Sequence, residues 1–133
     1  MPRMPDEDNA RQAITEAELT IMQVIWQADE PLTVNDVHDR LLQSENWKYN
    51  TVATFMIRLS EKGYLNYSHL DGRGRTRLFR PLVTEKQYQK EQLKRFISRQ
   101  FRGSSKDLIA AFMSGEPADP DEIEALRQWL DEQ

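Results

Sequence analysis

Three helical patterns followed by one arginine-rich hairpin signal, all within residues 14–82, constrain this chain more than any other feature. Thr15 and Glu18 form a capping box, in which the hydroxyl accepts an N3 amide and the carboxylate reaches back to the N-cap. Leu19, Met22, Ile25 and Trp26 then share one face at helical spacing, and Asp29-Glu30-Pro31 ends the helix. Thr33 caps a second, short helix over 33–43, with Val34, Val37, Leu41 and Leu42 as its buried face. A polar connection leads to a third helix, about 50–62, capped by Asn50 or Tyr49. Its apolar positions are Val52, Phe55, Met56 and Leu59, and its other face carries Asn50, Thr51, Thr54 and Arg58. Lys62-Gly63 supplies the cation and the left-handed glycine that stop a helix. Tyr64–Ser68 and Thr76–Arg80 read as strands around the turn Asp71-Gly72-Arg73-Gly74, and Pro81 ends the second. Three helices followed by a two-stranded ribbon is the plan of a winged helix-turn-helix domain.

The remainder is helical. Thr84 opens a helix to about residue 101, with Tyr88, Leu93, Phe96, Ile97 and Phe101 as its apolar positions, and Gly103-Ser104-Ser105 breaks it. A helix at about 105–113 offers Leu108, Ile109 and Phe112. One at about 120–131 offers Ile123, Leu126, Trp129 and Leu130. This is more apolar face than two short elements bury alone, and a dimer sharing one core would cover it. The expected architecture is mainly α, in three parts. Residues 1–13 are a flexible N-terminus, 14–82 a winged helix DNA-binding domain and 83–133 a helical dimerisation domain.

The formal net charge of −4 argues against nucleic acid only until the chain is divided. Residues 1–49 carry 4 basic and 10 acidic side chains, 50–106 carry 13 and 4, and 107–133 carry 1 and 8. A strongly basic middle is thus flanked by acidic ends. The chain has no cysteine, which excludes a disulfide scaffold, a thiol nucleophile and any Cys-ligated metal. Two histidines, His38 and His69, are too few for a His-rich zinc site and read as surface residues. No Ser/His/Asp set or paired carboxylates stand out, so neither catalysis nor a cofactor or metal is expected. No stretch is apolar enough for a membrane span and the N-terminus lacks an apolar signal core, so a cytoplasmic protein is expected.

The second helix of a helix-turn-helix pair presents its N-terminal, solvent-facing residues to the major groove. Here these are Asn50, Thr51 and Thr54, with Arg58 one turn on. Asn pairs bidentately with adenine, and a Thr methyl touches a thymine methyl. In the hairpin, the glycines of Arg73-Gly74-Arg75 let backbone approach a phosphate strand, and arginine forks match phosphate oxygens. The basic run Lys86, Lys90, Lys94, Arg95, Arg99 and Arg102 reads equally as an extended phosphate footprint or a solvated helix face. Trp26, Trp47 and Trp129 read as packing residues. The lead reading of these residues is sequence-specific binding of double-stranded DNA. The alternative is a winged-helix protein-interaction module that does not read an operator directly. RNA binding lacks its paired aromatic platforms.

The run from Thr15 to Trp26, with Glu18, Met22 and Trp26 at hallmark spacing, resembles the first helix of the penicillinase repressor family. The run from Asn50 to Leu59, continuing Glu61-Lys62-Gly63, resembles that family's recognition helix. Gly74-Arg75 and Phe79-Arg80-Pro81 resemble its wing, with phenylalanine where tyrosine is more usual. The resemblance covers roughly residues 13–131. It implies a homodimeric repressor whose winged helix binds half of a near-palindromic operator and whose C-terminal helices interlock. Carried over, Asn50, Thr51, Thr54 and Arg58 become base or phosphate contacts, and Arg73, Gly74 and Arg75 the wing. Phe96, Leu108, Ile109, Phe112, Ile123, Leu126 and Trp129 become dimer-core candidates. Copper-responsive members carry C-terminal Cys-x-Cys motifs, which this chain lacks. Members that control β-lactam resistance are cut near an Asn-Phe bond in the first dimerisation helix. The matching candidate bond here is Ala111-Phe112, which keeps the phenylalanine but not the asparagine, and the implied partner is a membrane-bound sensor protease.

Overall fold

The computed structural model of the chain describes residues 12–70, 75–115 and 120–131. The order is α1 (Glu16–Ala28), α2 (Val34–Leu41), α3 (Tyr49–Glu61), β1 (Leu65–His69), β2 (Arg77–Pro81), α4 (Glu85–Phe101), α5 (Ser105–Gly115) and α6 (Pro120–Asp131). It forms two compact units, the first ending at Glu85 and the second beginning at Lys86. The first is a winged helix-turn-helix: three helices with a small antiparallel sheet.

Both expected N-caps form, each as a full capping box. Thr15 Oγ1 accepts from the Glu18 amide at 3.1 Å, and Glu18 Oε1 accepts from the Thr15 amide at 2.9 Å. At α2, Thr33 and Asp36 make the same exchange at 3.1 and 3.0 Å. The expectation of Asn50 or Tyr49 as the α3 cap is corrected. Lys48 holds that position and makes no side-chain cap. The helix starts there because the polar connection is packed down just before it, with the Trp47 ring edge-on to Phe55 at 5.3 Å.

The core of this unit gathers Ile21, Met22, Ile25, Leu32, Val37, Leu41, Val52, Met56, Leu59, Tyr64, Leu65, Phe79 and Val83. Two positions expected on the buried face of α2, Leu42 and Val34, are not buried. Leu42 lies one residue beyond α2 and is 58% exposed, because the helix ends at Leu41 instead of residue 43. Leu19 and Val34 are half-buried, Ile21 taking the core position on α1, and Phe55 is half-buried against Trp47. Trp26 is also half-buried, and its indole N–H donates to the Val83 carbonyl at 2.9 Å.

Each strand lies one residue later than expected. Pro81 is the last residue of β2, opposite Leu65, instead of the residue that stops it. The ribbon gains a bridge to a third segment that the sequence reading did not contain. Leu32, between α1 and α2, pairs with Phe79, each amide donating to the other's carbonyl at 2.9 and 2.8 Å. This ties the hairpin to the helical layer. Glu18, 1% exposed, accepts from Lys62 Nζ at 2.7 Å, so the first turn of α1 is pinned to the residue that caps α3.

In the second unit, α4 ends with two successive residues at positive φ, Arg102 (53°) and Gly103 (84°). The Gly103 amide returns to the Ile97 carbonyl at 3.0 Å, satisfying an orphan carbonyl at the helix end. Ser104 then caps α5, its hydroxyl accepting from the Asp107 amide at 3.1 Å. Pro120 opens α6, the position where proline's fixed φ and missing N–H cost nothing. Among the described residues no helix is long and apolar enough to cross a membrane.

Candidate nucleic-acid interface

Helix α3 places Asn50, Thr54 and Arg58 four residues apart, and all three are exposed. Residues at i, i+4 and i+8 lie along one side of a helix. Thr51 departs from the expected solvent-facing set: it is half-buried. The Thr54 hydroxyl donates to the Asn50 carbonyl at 2.9 Å. Its proton is thus spent within the helix, and what remains to offer a groove is the methyl group and the oxygen lone pairs.

His38 is corrected from a surface residue to a half-buried one. Its Nε2 lies 3.1 Å from the Trp47 carbonyl, and its ring meets Tyr49 edge-on at 6.1 Å. Both contacts fix the backbone where α3 begins. His69 is exposed at the end of β1.

On the wing, Arg75, Arg77 and Arg80 are exposed. The Arg77 guanidinium stands 4.9 Å from the Tyr67 ring centroid, and Arg80 Nη1 is 3.4 Å from Ser68 Oγ. Arg73 and Gly74, expected at the wing tip, lie outside the described residues. Clefts of contrasting charge open on this unit. One, about 410 Å³, lies between the starts of α2, α3 and β2 and is lined by neutral and cationic residues, among them Asn35, Tyr49, Arg75 and Arg77. Another, about 350 Å³, is lined by Trp26, Pro31, Asp29, Glu30, Glu85 and Arg80 among others, a sign of charge that repels phosphate.

In the second unit, Lys86, Lys94, Arg99 and Arg102 are exposed and Lys90 and Arg95 half-buried. Phe96 (48%), Phe112 (46%) and Met113 (51%) are apolar and open to solvent within one chain, while Leu108, Ile109 and Leu126 are half-buried. Ile123 is covered within the chain itself. The side chain of Trp129 lies outside the described residues. Ala111 and Phe112 both sit exposed on α5. Among the described residues, no group of three or more His, Asp and Glu side chains is placed to hold a metal ion.

The sequence profile of the penicillinase repressor family matches residues 14–132. The penicillinase repressor of Bacillus licheniformis is 30% identical over 119 residues, covering 90% of this chain and 90% of its own length. The methicillin resistance regulatory protein MecI of Staphylococcus aureus is 28% identical over 125 residues, 92% of this chain and 97% of that protein. Among solved structures, the DNA-binding domain of the repressor BlaI shares 32% identity at a TM-score of 0.50, covering 59% of this chain and 90% of that one. With its winged helix and this match along nearly its whole length, the chain belongs to the penicillinase repressor family, as a DNA-binding transcriptional repressor and not an enzyme.

Proposed function

We propose that the chain acts as a cytoplasmic homodimer. Each copy places α3 in the major groove of one half of a two-fold operator and lays its wing along the DNA backbone. The observation that carries this reading is the exposed row Asn50, Thr54 and Arg58, small polar groups followed by a cation on one side of α3. An ordinary solvated face would mix in carboxylates, and this helix carries only Glu61, at its last position. Asn50 and Thr54 read bases, Arg58 reaches a base or phosphate, and Arg73, Gly74 and Arg75 contact the backbone. Thr51, half-buried, contributes from the edge of the row.

The exposed Phe96, Phe112 and Met113 support a dimer built from the second unit. Two linked half-sites then bind with the avidity of an intramolecular second step. Cleavage at Ala111-Phe112 by a membrane-bound sensor protease would interrupt α5, remove dimer contacts and release the operator.

The test is a gel shift on the promoter region of the chain's own operon, repeated with Thr54→Ala and Arg75→Ala. Arg75→Ala should weaken binding on all sequences alike, while Thr54→Ala should change which sequence is preferred. No shift by the wild type at low salt would overturn the reading.

A further inference from the structure

We infer that the cleft between the starts of α2, α3 and β2 seats one backbone phosphate of the bound duplex, held by Asn35, Tyr49, Arg75 and Arg77. This rests on the DNA reading above and extends it to Asn35 on α2 and Arg77 on β2, joined to Tyr49 at the first position of α3 and to Arg75 of the wing. Three observations carry it. First, the residues come from three separate elements and line a single cleft of about 410 Å³. Second, among the described residues its lining holds two arginines and no carboxylate, so the cleft favours an anion. Among the described residues neither arginine has an ion-pair partner, and the Arg77 guanidinium stands over the Tyr67 ring. Third, the cleft adjoins the row that faces the bases, since Tyr49 immediately precedes Asn50.

Asn35 and Tyr49 are exposed, and the His38 ring edge supports the Tyr49 ring at 6.1 Å. An amide, a phenol and two guanidinium groups are all donors that a phosphodiester oxygen accepts. A phosphate seated there joins the wing to the start of α3 and sets how far α3 enters the groove. Such a contact positions the protein and carries no sequence information. Its signature is therefore an equal effect on every duplex.

Asn35 is the second residue of α2, where a carboxylate favours the helix N-terminus. Asn35→Asp should thus leave thermal unfolding unchanged or raised while placing a negative charge in the cleft. Binding is measured by fluorescence anisotropy on two duplexes, the chain's own promoter region and an unrelated sequence, across a salt titration. Asn35→Asp should weaken both by about ten-fold or more, and Tyr49→Phe by about three- to ten-fold. Asn35→Lys should tighten both and steepen the salt slope by about 0.9 per added phosphate contact. A wild type that binds neither duplex overturns the repressor reading itself. A wild type that binds, with Asn35→Asp and Tyr49→Phe indistinguishable from it, overturns the phosphate seat alone. So does a loss confined to one duplex, which would make these residues readers of sequence.

Discussion

Glu18 Oε1 accepts two hydrogen bonds, from Lys62 Nζ at 2.7 Å and from the Thr15 amide at 2.9 Å. One oxygen thus closes the cap of α1 and ties it to the end of α3, 44 residues away. Lys62 Nζ also donates to the Ala13 carbonyl at 3.1 Å, so the segment entering α1 is held by the same ammonium. Glu18→Gln keeps the shape and removes the charge. We expect it to cost about 1–3 kcal/mol, the usual range when one partner of a largely buried, charge-assisted bond is lost. Urea denaturation checks this, and the cost should shrink when Lys62→Met is already present.

The same carboxyl sets a pH dependence. Burial pushes its pKa up, but the Lys62 ammonium and the Thr15 amide outweigh burial and leave it below the ordinary glutamate value of 4.5. A group lowered in the folded chain contributes stability that is complete above its unfolded pKa and is lost as pH falls through the folded one. The wild type should therefore lose stability below about pH 4.5 more steeply than Glu18→Gln. Denaturation midpoints at neutral pH and near pH 3 would show it. Parallel curves for the two proteins would contradict the assignment.

Leu32 separates two contributions to its bridge with Phe79. Its side chain is 2% exposed and its amide donates to the Phe79 carbonyl. Leu32→Ala removes packing, at about 2–4 kcal/mol. Leu32→Pro also removes the N–H and should cost about 1–3 kcal/mol more, because the Phe79 carbonyl is left unpaired. Comparison of the two denaturant midpoints gives the difference, and equal midpoints would mean that the bridge contributes nothing.

Phe112 is 46% exposed on α5 beside an exposed Met113. In a dimer that buries this face, Phe112→Asp places a charge in an apolar interface, while in a monomer it improves solubility. Sedimentation at micromolar concentration should give a dimer for the wild type and a monomer for the variant. A wild-type monomer would remove the dimer from the account.

Much of the first unit was legible because its signals are local. Thr15 and Glu18, and Thr33, sit within one helical turn of what they cap, and Gly63 takes the left-handed conformation (φ 89°) its place after α3 implies. The spacing of Val52, Met56 and Leu59 also put Asn50, Thr54 and Arg58 on the opposite, open side. What stayed hidden depends on distance along the chain. A one-residue bridge such as Leu32 with Phe79 has no periodicity to detect. The Glu18–Lys62 pair looked like two separate helix-end charges, a cap and a C-terminal cation. The start of α3 was misread because Lys48 makes no side-chain cap, so the capping rule pointed to its polar neighbour. The cleft holding Asn35, Tyr49 and Arg75 escaped notice because its walls come from three elements. Likewise the chain's low net charge concealed the basic middle until it was divided by segment.

The central claim is that two copies of α3 read one two-fold site, and a nuclease footprint on the promoter region of the chain's own operon tests it most directly. The account predicts a single protected region with internal symmetry, its halves one helical turn or a multiple apart (about 34–36 Å per turn), filled cooperatively and lost as salt rises. Protection without symmetry, or none at protein concentrations that keep the chain folded and dimeric, would contradict it.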